Sequence, residues 1–287
     1  MPKTSAIALH ADRGKSWMLP GTSSENLLYL TFGCGGTCVV SYPDGKLVGT
    51  LSGVGDAAPC ADGNGNIYIP QQAQLQEYAH GGTTPIATFR AGGLIDGCSV
   101  DGTTGNVAVV YVNGGPTVAV FQNGSDDNPT TYTVEQSQYC GYDNNGNLFV
   151  DAYTSSRLTA LYELPADGTK FQQLSLIESI NGFPSQVQWD GEYLSLERRG
   201  APTVSFYRLS VSGSEASVVS KVRIRGLREG GLSWIYGGTV FIPFARQGHK
   251  VVLAGAWKYP KGGKPLNVLT HIDKRADFQG VTYSPAT

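Results

Sequence analysis

Three short polar segments recur along this chain at a nearly constant step: Asp62-Gly63-Asn64-Gly65-Asn66, Asp101-Gly102-Thr103-Thr104-Gly105-Asn106 and Asp143-Asn144-Asn145-Gly146-Asn147. Each runs into an apolar stretch with strand character: Ile67-Tyr68-Ile69, Val107-Ala108-Val109-Val110 and Leu148-Phe149-Val150. The closing asparagines of successive segments stand 40 and 41 residues apart. A period of about 40 residues built from short strands belongs to propellers and solenoids, because one such unit cannot bury its apolar face without a neighbour.

A second element completes the unit, an aromatic strand entering a Gly- or Pro-containing turn. Its copies are Ser41-Tyr42-Pro43-Asp44-Gly45, Glu77-Tyr78-Ala79-His80-Gly81-Gly82, Val120-Phe121-Gln122-Asn123-Gly124, Leu161-Tyr162-Glu163-Leu164-Pro165, Phe206-Tyr207-Arg208-Leu209 and Trp257-Lys258-Tyr259-Pro260. Each unit then reads strand A, tight turn, strand B, loop, strand C, turn, strand D, which fills about 40 residues. The chain enters the first unit at strand B (Leu27-Leu28-Tyr29-Leu30-Thr31-Phe32) and ends on an isolated strand A (Gly280-Val281-Thr282-Tyr283-Ser284). Pairing those two pieces would close a ring and remove its open edges. The expected fold is all-β, a six-bladed β-propeller of four-stranded antiparallel blades closed by the C-terminal strand joining the N-terminal blade. Residues 1–24 are expected as an N-terminal tail and residues 25–287 as one propeller domain.

Composition agrees with a packed β domain: 40% hydrophobic residues, 15% charged, and 38 glycines available for turns. The net charge of −2 hides an asymmetry, −9 over residues 1–169 and +7 over 170–287. Much of the basic excess lies in Lys221-Val222-Arg223-Ile224-Arg225, whose alternation suits an outward-facing edge strand. Nucleic acid is therefore not expected as a partner. No apolar run approaches the roughly 18–20 residues that span a bilayer. The Ala6-Ile7-Ala8-Leu9 stretch is too short for a signal-peptide core. The chain is expected to be cytosolic, or exported (periplasmic or extracellular) with its targeting segment removed, and to act as a monomer.

Cys34 and Cys38 flank a three-residue loop and could form a disulfide across a hairpin, remain thiols, or begin a metal site that lacks its second ligand pair. Cys60, Cys98 and Cys140 precede the repeated aspartates and read as small apolar core residues.

Tyr42-Pro43-Asp44-Gly45-Lys46-Leu47-Val48-Gly49-Thr50-Leu51, the run from Glu77 to Thr88, and Val187-Gln188-Trp189-Asp190-Gly191 resemble a family of bacterial NHL-like six-bladed β-propellers, often predicted to be exported. The resemblance covers nearly the whole chain after residue 26. It implies the fold, and little about chemistry.

The repeated Asp-x-Asn-x-Asn turns share the opening of a calcium loop but carry Ile67 or Leu148 where glycine is required, and the first carries Ala73 where glutamate is required. They read as hairpin turns. Ligands are expected instead on the face made by the B–C and D–A loops. That face is expected to carry Asp56, Asp96, Asp151, Glu197, Arg198, Arg199, Arg246, His249, Tyr139, Tyr153, Phe244 and Phe278. On a binding reading, Arg198, Arg199, Arg246, Tyr139, Tyr153, Phe244 and Phe278 contact a small molecule or protein, and no cofactor is required. The alternative is a calcium-assisted hydrolase or lactonase, with Asp56, Asp96, Asp151 and Glu197 as metal ligands and Glu197, Asp151 or His249 as the catalytic group. The blander reading pairs those acids with the arginines and packs the aromatics between blades. His80 and His271 read as solvated turn residues.

Overall fold

Local hydrogen bonding explains why the recurrent segments turn. In the computed structural model, which describes residues 14–286 except 113–114, 127, 155, 157, 201–202, 226, 228, 246–251, 271 and 273–277, each repeated aspartate folds its carboxylate back on its own turn. Asp62 Oδ1 accepts the N–H groups of Asn64 and Asn66 at 2.8 and 2.9 Å, and its Oδ2 accepts the Asn66 amide at 3.1 Å. Asp143 repeats this with Asn145 and Asn147, at 2.8, 2.9 and 2.8 Å. Gly65 and Gly146 sit at φ +87° and +82°, the left-handed region the turn requires. The closing asparagine does a second job: Asn106 Oδ1 accepts the Asn123 N–H at 2.8 Å and Asn147 Oδ1 the Ala166 N–H at 3.0 Å. Each thereby ties the A–B turn to the C–D turn of the same unit.

Between turns the chain builds small antiparallel sheets. The first contains Asn26–Gly33, Gly36–Tyr42 and Leu47–Ser52, with Trp17–Met18 added outside. Its inner strand is Val281–Ser284, which pairs Leu27↔Ser284 through Leu30↔Val281, so the C-terminal strand does join the N-terminal sheet. The second sheet is Cys60–Ala61, Ile67–Gln71, Gln74–Tyr78 and Pro85–Arg90; the third is Leu94–Val100, Val107–Val112, Pro116–Phe121 and Thr130–Thr133. The last is Thr239–Ala245, Val252–Lys258 and Asn267–Leu269, with an inner strand broken into Glu229–Gly230 and Trp234–Tyr236.

Between the third and last sheets lies one of eight strands, where separate four-stranded blades were expected. Its halves are Ser137–Tyr142, Leu148–Tyr153, Thr159–Leu164, Gln172–Leu176 and Phe183–Trp189, Leu194–Gly200, Thr203–Ser212, Glu215–Ile224. Within each half all pairings are antiparallel; the halves join by a short parallel ladder, Ser175↔Glu215 and Leu176↔Ala216. The physical cause is length. Thr203–Ser212 and Glu215–Ile224 are 10 residues each, so their hairpin overhangs its neighbours and reaches the preceding edge strand.

The innermost strands touch in a closed circuit: Val281–Ser284 on Cys60–Ala61, then Leu94–Val100, Ser137–Tyr142, Phe183–Trp189, Trp234–Tyr236, and back to Val281–Ser284. The whole is an all-β, propeller-like arrangement in which the described helical content is two 3₁₀ turns of 3 residues. Buried residues run consecutively along strands, as from Val107 to Tyr111, because both faces of a sheet are covered by neighbours. The core therefore lies between sheets, as where Val110 and Val118 of one meet Leu148, Val150 and Leu164 of the next. Lys221, Arg223 and Arg225 are exposed while Val222 and Ile224 are buried, as the alternation predicted.

Of the cysteine readings, the one for Cys60 and Cys98 needs revision. Cys34 and Cys38 form a disulfide with Cα atoms 5.3 Å apart. Cys60 and Cys98, expected as simple core residues, are indeed buried, but they are bonded to each other and staple adjacent inner strands. Cys140, at the matching place on the next inner strand, remains a buried thiol whose pKa burial pushes up to about 12. His80 also departs from expectation. Its Nδ1 lies 2.6 Å from Ser284 Oγ on the closing strand, and burial lowers its pKa against the pull of the Glu25 and Ser23 backbone.

Candidate functional site

The sheets present two unlike edges. At one, called here the loop face, the B–C and D–A connections emerge; at the other lie the repeated A–B turns. The most elaborate polar network sits under the loop face and is built on Leu194–Gly200. Successive residues of a strand point to opposite sides, so Glu197 and Arg198 reach different neighbours.

Arg198 turns toward Leu148–Tyr153. Its Nη1 and Nη2 donate to Asp151 Oδ2 and Oδ1 at 2.5 and 2.9 Å, and Nη1 also donates to the Glu197 carbonyl at 2.8 Å. Arg198 is 2% exposed and Asp151 0%. Burial pushes the Asp151 carboxyl up, and the Arg198 guanidinium with the Ala152 and Ser185 backbone N–H groups pulls the other way. Gly182 packs tightly on this pair: at φ +119°, a Cβ there would stand 3.0 Å from the Arg198 Cβ.

Glu197 turns toward the last sheet. The break in that sheet's inner strand leaves Ser233 with its backbone N–H free of the ladder, and it donates to Glu197 Oε2 at 3.1 Å while its hydroxyl donates at 2.8 Å. Glu197 is fully buried. Burial holds its carboxyl above the ordinary range, opposed by Arg199 and Ser233. Arg199, half-buried, stands beside Tyr139, whose hydroxyl is pushed up by burial and by Asp96 and Glu197 while Arg199 opposes. Tyr139 covers Gly97, where a Cβ would meet its ring at 3.0 Å. Asp96, Tyr139, Glu197 and Arg199 thus form one electrostatically coupled group.

Other expected residues fall elsewhere. Asp56 is exposed and accepts the Gln72 N–H at 3.1 Å. Asp151 and Glu197 are committed to Arg198 and Ser233, and among the described residues no three acidic, His or Cys side chains gather as metal ligands. Phe244 and Phe278 are in the core, Phe244 edge-on to Trp257 at 5.4 Å and Phe278 against Gly33. Tyr153 is half-buried at the loop end of its strand. Arg246 and His249 lie outside the described residues, as does His271.

Sequence reasoning missed Ser233, Thr159 and an apolar rim. Thr159 Oγ1 accepts from Arg198 Nη2 at 3.4 Å and donates to the Ile180 carbonyl at 2.8 Å. The rim consists of Phe32, Leu94, Val112, Leu158, Ile177 and Phe183, between 43% and 70% exposed. Every one stands at a B–C or D–A connection. The available signal was weak: single apolar residues beside glycines or at strand ends, as in Gly93-Leu94 and Gly182-Phe183.

No protein-family model and no curated protein sequence matches the chain. Solved structures do resemble it. A chain of a nidogen/laminin complex superposes with TM-score 0.67 at 12% identity over 91% of this chain and 99% of that one. A protein of unknown function from Bacteroides caccae gives 0.67 at 14%, again 91% and 99%. A putative TolB from Agrobacterium tumefaciens gives 0.59 at 12% with the same coverage. The neighbours are β-propellers, and the protein shares that architecture. Identities this low speak for the fold alone.

Proposed function

We propose that this chain is a single propeller of six blades, the eight-stranded sheet counting as two, and that it binds a protein partner on its loop face. The closed circuit of inner strands supports the blade count. One observation carries the binding reading: of the ten large hydrophobic side chains exposed among the described residues, the six named above stand on one edge of the ring. Apolar side chains gathered on one face mark interaction surfaces. The charged groups beneath are largely satisfied internally and serve to hold the rim in place. Arg199, whose strand partner is Phe183, together with Tyr139 and Tyr153 supplies polar contacts inside the rim. Two disulfides support residence in an oxidising compartment, hence export.

The test is a paired capture and crosslinking experiment with the full chain. Leu158→Asp with Phe183→Asp removes the partner taken by the parent protein, while Ile86→Asp with Leu266→Asp on the opposite edge leaves it bound. Retention by the first pair, or loss with the second alone, overturns the proposal.

A further inference from the structure

The turn edge carries a cleft that the loop-face reading leaves unused. It lies between the two halves of the eight-stranded sheet and has a volume of about 580 Å³, within the usual range of small-ligand sites of roughly 300–1,000 Å³. Its origin is the overhanging hairpin. Gly213 and Ser214 form its outer lip, fixed where the Ser175 N–H donates to the Ser214 carbonyl at 2.8 Å and the Ile177 N–H to the Ala216 carbonyl at 3.0 Å. Other gaps at this edge are bridged: the Gly81 N–H donates to the Tyr29 hydroxyl at 3.0 Å, and the Tyr259 hydroxyl donates to Asp190 at 2.9 Å.

The floor is apolar, made by the buried Phe149, Leu194 and Leu209. One wall is aromatic. Gln188 is latched to Ile235 at 2.6 and 2.8 Å on the side of the last sheet, so the next residue, Trp189, faces the opposite side and lines the cleft. Tyr193 stands next to it, one ring face held by the Arg208 guanidinium at 4.6 Å. Arg208 is itself fixed by Asp190 at 2.6 Å and Glu192 at 3.1 Å, so this wall is preorganised. The opposite wall offers planar polar groups: the Asn145 amide, the Glu163 carboxylate and the Gln172 amide. Among the described residues, none of these three side chains has a hydrogen-bond partner, and neither does the Trp189 indole N–H or the Tyr193 hydroxyl. Burial and then Asp143 push the Glu163 carboxyl up, so a ligand donor to it would relieve a real cost.

An aromatic wall facing planar donors and acceptors over an apolar floor matches one ligand chemistry. A sugar ring presents C–H faces that pack on aromatic rings and an equator of hydroxyls that amides and carboxylates bind in pairs. The uncompensated acids disfavour phosphates and acidic sugars, since the neighbouring Arg208 is already paired. We propose that this cleft binds a neutral saccharide.

The experiment titrates the full chain with neutral mono- and disaccharides spanning gluco, galacto and manno configurations, alongside glucuronate and inorganic phosphate, read by ligand-observed NMR and calorimetry. At least one neutral sugar binds. Trp189→Ala weakens it tenfold or more, about 1.4 kcal/mol, and Gln172→Ala, on the exposed rim and harmless to folding, weakens it about threefold. Glucuronate and phosphate do not compete. No neutral sugar binding, binding unaffected by Gln172→Ala, or preference for the anions would each overturn the proposal. Phe183→Asp on the loop face leaves sugar binding unchanged, which separates this site from the protein-binding surface.

Discussion

Removing the guanidinium of Arg198 while keeping its aliphatic bulk, as Arg198→Met does, should be among the most damaging single changes in the protein. Arg198 and Asp151 meet through two hydrogen bonds of 2.5 and 2.9 Å with 2% and 0% exposure. The variant strands the Asp151 carboxylate in the interior with backbone N–H groups as its remaining donors. Breaking a buried pair in this way costs about 3–5 kcal/mol, against a total stability of roughly 5–15 kcal/mol. At about 2 °C per kcal/mol for a chain this large, the midpoint should fall by roughly 6–10 °C. Thermal unfolding followed by tryptophan fluorescence reads the midpoint, and equilibrium urea unfolding the free energy. Replacing both partners, Asp151→Leu with Arg198→Met, should recover most of the loss, because a packed apolar pair avoids desolvation altogether. The deficit of Arg198→Met should also shrink as pH falls toward about 4, the ordinary carboxyl range, because the stranded carboxyl, pushed up by burial, takes up its proton above that range. A single variant within about 1 kcal/mol of the parent, or a double variant no better than either single one, would refute the reasoning.

Three further outcomes follow from groups described above. Burial holds Glu197 above its unfolded value, so its contribution to stability is present at acid pH and fades as pH rises through the folded value. Glu197→Gln should gain on the parent as pH increases from about 4.3, and a pH-independent difference in urea midpoints would count against it. His80 is lowered by burial, so its contribution is present above the ordinary value near 6.5 and is lost as pH falls through the folded one. His80→Gln should flatten that acid-side decline in thermal midpoint, and an unchanged slope would contradict the assignment. The Cys60–Cys98 bond closes a separation of 38 residues and Cys34–Cys38 one of 4. Loop entropy then makes their losses about 4 and 2 kcal/mol, so paired alanine variants should differ about twofold in denaturation experiments, and a reversed order would reject the loop argument.

What was legible in the sequence tracks the range of the interactions. The repeated turns announced themselves because Asp62 and Asp143 bond within four residues of themselves, and such local geometry leaves a fixed string. The closing strand was legible from phase, since a lone inner strand at Val281–Ser284 answers a first unit lacking one. The Cys60–Cys98 bond was not, because it depends on two inner strands of different sheets lying side by side. The same holds for Glu197, whose partner Ser233 is available through a strand break in another sheet. Loop-face membership could be read for Tyr139 and Arg199 from their place in the unit. Burial could not: Phe244 and Phe278 occupy loop ends yet turn inward, because what covers a loop end is decided by the neighbouring sheet.

The short parallel ladder between Gln172–Leu176 and Glu215–Ile224 has a mechanical consequence. Elsewhere the described ladders stay within one sheet, and neighbouring sheets meet through side chains, the Cys60–Cys98 bond and isolated backbone bridges such as Ile224↔Gly263 and Leu232↔Gly280. Here the two halves of the eight-stranded sheet are riveted backbone to backbone at the rim, far from the axis, where a small angular displacement produces the largest linear motion. That joint cannot flex without breaking hydrogen bonds. The sector that this ladder stiffens contains both the buried Asp151–Arg198 pair and the cleft.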